Sequence, residues 1–152
     1  MSKIITYSEK QTFNLGKKLA KKLQGGKVIG LIGELGAGKT VLIKGIAAGL
    51  GIKKTITSPT FVLFKLYHTD RRKCETDSHK SRIRHMAHAD AYRLNSGQDL
   101  VDIGLKDWLG KPDVVTVIEW ADRVKKILPK RKIIVRIKFG GEKNERVITT
   151  NL

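Results

Sequence analysis

Val28-Ile29-Gly30-Leu31-Ile32-Gly33-Glu34-Leu35-Gly36-Ala37-Gly38-Lys39-Thr40 is the stretch that decides how this chain folds. Its first five residues are a continuous apolar run, the pattern of a strand buried on both faces of a sheet. The next eight have the spacing G-x-x-x-x-G-K-T of a phosphate-binding loop, or P-loop. Glycines there let the backbone turn tightly enough for successive N–H groups to point inward at an anion. A helix opening near Lys39 adds the partial positive charge of its N-terminus beneath that anion. In this arrangement Lys39 reaches the β- and γ-phosphates and the Thr40 hydroxyl coordinates Mg²⁺. Leu42, Ile46, Ala47 and Leu50 supply a buried face for the helix, which ends around Gly49 to Gly51. Outside a strand–loop–helix context the motif would be an ordinary glycine-rich turn. Inside it, a nucleoside triphosphate with magnesium is the expected ligand.

Working outward, Lys3 to Tyr7 reads as a short strand, and Ser8-Glu9-Lys10-Gln11 has the serine-to-glutamine spacing of a capping box. Thr12, Leu15, Gly16, Leu19, Ala20 and Leu23 then recur at helical spacing, with Lys17, Lys18, Lys21 and Lys22 on the opposite face. Gln24-Gly25-Gly26 stops that helix. On the other side, Thr57-Ser58-Pro59-Thr60 is a loop before a strand over Phe61 to Tyr67. Met86 to Tyr92 and Val114 to Ile118 read as further strands, Gly97 to Leu109 as one or two short helices, and Asp122 to Leu128 as a short helix. Lys132 to Phe139 and Arg146 to Asn151 alternate around Gly140-Gly141-Glu142-Lys143-Asn144, which predicts a terminal hairpin. The alternation predicts one α/β domain over residues 1–152, a three-layer domain of P-loop NTPase type with a mixed parallel and antiparallel sheet.

From Asp70 to His85 the apolar pattern disappears and basic residues dominate, so residues 70–85 are expected to be a basic, mobile insert. The whole chain is basic as well, with 31 Lys and Arg against 14 Asp and Glu and a formal charge of +17. Such a charge concentrates polyanions such as RNA near the surface, or simply keeps a lysine-rich surface soluble. A single cysteine, Cys74, excludes an internal disulfide framework. No apolar run approaches the roughly 20 residues of a bilayer span, and Met1 to Ile5 does not read as a secretory signal. A cytoplasmic location is expected.

A P-loop enzyme also needs an acid at the end of a neighbouring strand to hold the metal and its waters. Glu119 directly follows the apolar strand Val114 to Ile118, at the strand end where ligands bind in such sheets. Asp90, in His88-Ala89-Asp90-Ala91-Tyr92-Arg93, is the second candidate. Lys39, Asp90 and Glu119 are thus the candidate catalytic residues, and Thr40 and Glu119 the candidate metal ligands. Thr60 would sense the γ-phosphate or belong to a plain proline turn. Trp120 would lie by the nucleotide or pack in the core, and Arg93 would stabilise transition-state charge or form a structural ion pair. Cys74, His79, His85 and His88 have irregular spacing that does not fit zinc.

Together these residues resemble the bacterial ATPase family of tRNA threonylcarbamoyladenosine biosynthesis, known as TsaE. The resemblance rests on the P-loop, Ser58-Pro59-Thr60-Phe61, His88-Ala89-Asp90-Ala91-Tyr92-Arg93-Leu94, Gly104-Leu105-Lys106-Asp107-Trp108 and Glu119-Trp120, in that order. It covers nearly the whole chain apart from the basic insert. It implies a small ATPase, weak alone, that binds ATP or ADP with Mg²⁺. It implies action beside a two-protein threonylcarbamoyl-transferase of TsaB–TsaD type that modifies adenosine 37 of tRNA, with tRNA reached through that complex. Carried over by position, Glu34, Leu35, Gly36, Ala37, Gly38, Lys39, Thr40 and Val41 bind the nucleotide. Ser8, Glu9 and Lys143 would lie near the base or ribose. A small-molecule kinase sharing the P-loop, and a basic RNA-binding module regulated by nucleotide, are the competing readings.

Overall fold

The computed structural model describes residues 1–59, 63–70, 83–94 and 96–152. Among these, seven strands form one sheet: β1 (Ser2–Thr6), β2 (Val28–Ile32), β3 (Phe64–His68), β4 (His85–Asp90), β5 (Val114–Glu119), β6 (Ile133–Phe139) and β7 (Arg146–Thr150). Their spatial order is β1-β7-β6-β2-β5-β4-β3. The middle four, β6, β2, β5 and β4, run parallel. β7 and β3 close them antiparallel on either side, and β1 adds antiparallel to β7. The mixed sheet expected from the sequence is present.

Helices α1 (Glu9–Lys21) and α2 (Lys39–Gly49) pack on one face, where Leu15, Leu19, Leu42 and Ile46 meet Leu31, Val115, Val117 and Val135. The other face carries α3 (Gln98–Asp102) and single 3₁₀ turns at Leu105–Asp107 and Lys125–Ile127, which bury Leu100, Leu105, Val124 and Leu128 against Val114 and Ile118. Each fully buried aliphatic side chain contributes about 1.5–3 kcal/mol to this three-layer arrangement. α1 crosses α2 at glycines: a Cβ on Gly45 would lie 2.0 Å from the Phe13 carbonyl, and one on Gly16 2.3 Å from the Leu42 carbonyl. Residues with side chains would force the two helices apart, so the sequence sets their distance.

Ser8 caps α1 as expected, accepting from the Gln11 N–H at 3.2 Å, while Gln11 Oε1 accepts from the Tyr7 N–H at 2.8 Å. Other boundaries moved. Asp122 to Leu128 forms turns and one 3₁₀ turn instead of a helix. Pro129 explains this, because a residue before proline avoids helical geometry, and Leu128 is extended with ψ 137°. The β4 strand stops at Asp90 rather than Tyr92, because the Asp90 side chain takes the Tyr92 N–H at 2.8 Å and turns the chain. Phe61 and Val62 lie outside the described residues, as does most of the basic insert, including Cys74 and His79.

Candidate functional site

The P-loop joins the end of β2 to the start of α2. Gly38 sits in the left-handed region at φ 104° as the N-cap of α2, and no side chain caps that helix. An uncapped helix start with glycine before it is suited to an anion. Lys39 is buried, and its Nζ donates at 2.8 Å to both the Gly33 and the Glu34 carbonyl. The Trp120 ring lies 4.0 Å from the same ammonium group. Burial pushes the Lys39 pKa down, and the carboxylates of Glu119, Asp90 and Asp122 oppose that shift.

Two acids stand beside it. The β4–β5 register sets Asp90 directly opposite Glu119, and each is only 3% exposed. β5 in turn pairs with β2, placing Glu119 opposite Leu31, two residues before the loop. Parallel alignment therefore delivers both acids and the P-loop to one sheet edge. Ser58 Oγ donates to Asp90 Oδ2 at 2.6 Å, and His88 Nε2 lies 2.9 Å from Glu119 Oε1.

Trp120 follows Glu119 in a left-handed conformation, φ 56°, which is costly for a non-glycine residue. Its neighbours hold it there: the Glu119 carbonyl accepts from the Ala91 N–H, and the Ala121 N–H donates to Leu31, at 3.0 and 3.1 Å. The indole consequently turns toward Lys39 and Tyr92, whose ring centroid is 5.0 Å away.

The opposite wall comes from both ends of the chain. Ser8, Glu9 and Thr12 at the start of α1 line it together with Asn144 and Arg146 from the β6–β7 hairpin. Arg146 Nε donates to the Ala37 carbonyl at 3.1 Å, and its guanidinium lies 4.6 Å from the Phe139 ring centroid. Between the walls is a cavity of about 440 Å³, which is of ligand-binding size.

Of the residues expected at the site, Ser8, Glu9, Leu35, Gly36, Gly38, Lys39, Thr40, Val41, Asp90, Glu119 and Trp120 line this cavity. Glu34 and Ala37 do not line it; they act through their carbonyls, bonded to Lys39 and Arg146. Lys143 is not on the wall, but its neighbour Asn144 is. Arg93 is exposed and off the wall, and Thr60 lies outside the described residues. Arg146, Asn144, Tyr92 and Thr12 were missed as site residues, and so was the His88 bond to Glu119. Only His88 carried a signal: two residues before Asp90 on a strand, it shares that acid's face. Among the described residues no group of three or more His, Cys, Asp or Glu side chains could hold a metal.

A parallel core with a P-loop between β2 and α2, and acids at the ends of β4 and β5, defines a P-loop NTPase-type α/β fold. Residues 6–148 match the family model described as threonylcarbamoyl adenosine biosynthesis protein TsaE. The chain belongs to the TsaE family. It is 35% identical over 143 residues to the tRNA threonylcarbamoyladenosine biosynthesis protein TsaE of Treponema pallidum (strain Nichols), covering 94% of this chain and 96% of that protein. The protein of the same name from Bacillus subtilis (strain 168) is 33% identical over 144 residues, 95% of this chain and 81% of that protein. The crystal structure of Bacillus subtilis YdiB matches with a TM-score of 0.75 at 30% identity, over 98% of this chain and 83% of that one.

Proposed function

We propose that this chain binds and hydrolyses ATP in the biosynthesis of threonylcarbamoyladenosine at position 37 of tRNA. In this reading it works in the cytoplasm beside a two-protein transferase of TsaB–TsaD type. One observation carries the reading: a P-loop lysine and two buried carboxylates from neighbouring parallel strands converge on one cavity. The names of its relatives supply the pathway. Among the described residues no helix is long and apolar enough to cross a membrane.

The loop amides and the start of α2 would take the phosphates, with Lys39 leaving its carbonyl partners for the β- and γ-phosphate oxygens. Thr40 and Glu119 offer hard oxygen donors, which fit Mg²⁺ better than a soft metal. Bound there, Mg²⁺ would neutralise charge on the β- and γ-phosphates. Asp90, anchored by Ser58 and the Tyr92 amide, would orient the attacking water. The second wall, with Glu9 and Asn144, would face the base and ribose.

The test is ATP hydrolysis by the purified chain with and without the cognate transferase proteins. A slow rate alone that rises with the partner is expected, and Glu119→Ala should remove the stimulated rate. A stimulated rate that survives Glu119→Ala would exclude the role given to this acid. Phosphate transfer to a nucleoside or metabolite in place of hydrolysis would establish a kinase instead.

A further inference from the structure

The β4 strand carries two histidines, and one of them faces the acids. His88 is fully buried, two residues before Asp90, with its Nε2 2.9 Å from Glu119 Oε1. A carboxylate only accepts, so the imidazole hydrogen belongs on Nε2. Nδ1 is buried as well, and it has no hydrogen-bond partner among the described residues. A buried polar atom without a partner costs stability that an apolar side chain would not. What the imidazole adds at this position, among the described residues, is its bond to Glu119, an acid that also lines the cavity.

We propose that His88 is a positioning residue: by donating to Oε1 it fixes the rotation of the Glu119 carboxylate and so presents Oε2 to a divalent cation held with Thr40. Carboxylate ligands depend on such outer hydrogen bonds for their orientation. The inference rests on the reading of Glu119 as a metal-holding acid. It assigns His88 a role in metal affinity rather than in phosphate binding, which belongs to the P-loop.

The experiment is calorimetric titration of ADP across a Mg²⁺ series, with melting temperatures, for the parent chain, Glu119→Gln, His88→Leu and His88→Gln. In the parent chain Mg²⁺ should tighten ADP binding, and Glu119→Gln should lose that response. His88→Leu should raise the Mg²⁺ concentration needed for half the effect by roughly 10- to 100-fold, with Mg²⁺-free ADP binding unchanged. His88→Gln, whose amide can donate from nearly the same point, should recover most of the response. If His88→Leu lowers the melting temperature but keeps the parent Mg²⁺ requirement, the histidine is a packing residue and the inference fails. If Glu119→Gln keeps the Mg²⁺ response, the reading of Glu119 fails first. Should His88→Leu not fold, His88→Asn, too short to reach Oε1, replaces it in the contrast with His88→Gln.

Discussion

The two walls of the cavity are built on different terms. One is the C-terminal edge of the parallel core, where Asp90, Glu119 and the P-loop arrive together because β4, β5 and β2 are in register. The other joins the start of α1 to the β6–β7 hairpin, and its Arg146 meets Ala37 across 109 residues of sequence. The first wall buries its charges and ties each one to a partner. The second leaves Glu9 and Asn144 exposed. Buried, oriented charge is suited to chemistry, because desolvation strengthens every interaction it makes. An exposed polar wall is suited to selecting and enclosing a ligand. In the proposed function, that difference in burial would divide the labour between the two walls.

That contrast breaks first at Lys39. Lys39→Ala should weaken ATP binding by roughly 100-fold or more in calorimetry, since it removes the buried ammonium that, in the proposed function, would reach the phosphates. A loss below about threefold would mean that the first wall does not hold the nucleotide.

Arg146→Leu tests the second wall with a smaller expected effect. Loss of the bond to Ala37 removes about 1.5 kcal/mol of support from the loop, or roughly tenfold in ATP affinity. Hydrolysis at saturating ATP should stay near the parent rate. If that rate collapses, the second wall takes part in chemistry and the distinction fails.

The smallest effect sharpens the comparison through pH. Burial lowers the Lys39 pKa, so in the free protein its proton leaves below the ordinary value of 10.5. A bound polyphosphate favours the ammonium form, so binding should take up part of a proton in that alkaline window, and affinity should fall as pH rises through it. The sign for stability is opposite. The unfolded chain holds this proton more tightly, so between the lowered pKa and 10.5 this group makes the fold more stable as pH rises. Calorimetry in two buffers of different ionisation enthalpy measures the uptake, and Lys39→Met should abolish it.

How much was legible depended on range. The P-loop, β2 and α2 are contiguous, so their spacing could be read directly, and the Ser8 cap is as local as the helix it starts. The place of Glu119 on the cavity wall could be anticipated because a single acid ending a buried strand is a local pattern. The turn at Asp122 to Leu128 was misread as a helix because its apolar spacing is helical while Pro129 ends it early.

By itself, then, the sequence determined the strand–loop–helix that would cradle phosphate and the two acids available to it. Periodicity, glycine conformation and strand ends are properties of neighbouring residues, so a linear reading reaches them. Only the tertiary structure decided that Asp90 stands opposite Glu119, that His88 holds Glu119, and that Arg146 closes on Ala37. Each of those depends on strand register or on a closure spanning many residues. Such closures are set by the packing of the whole sheet, and no local pattern along the chain records them.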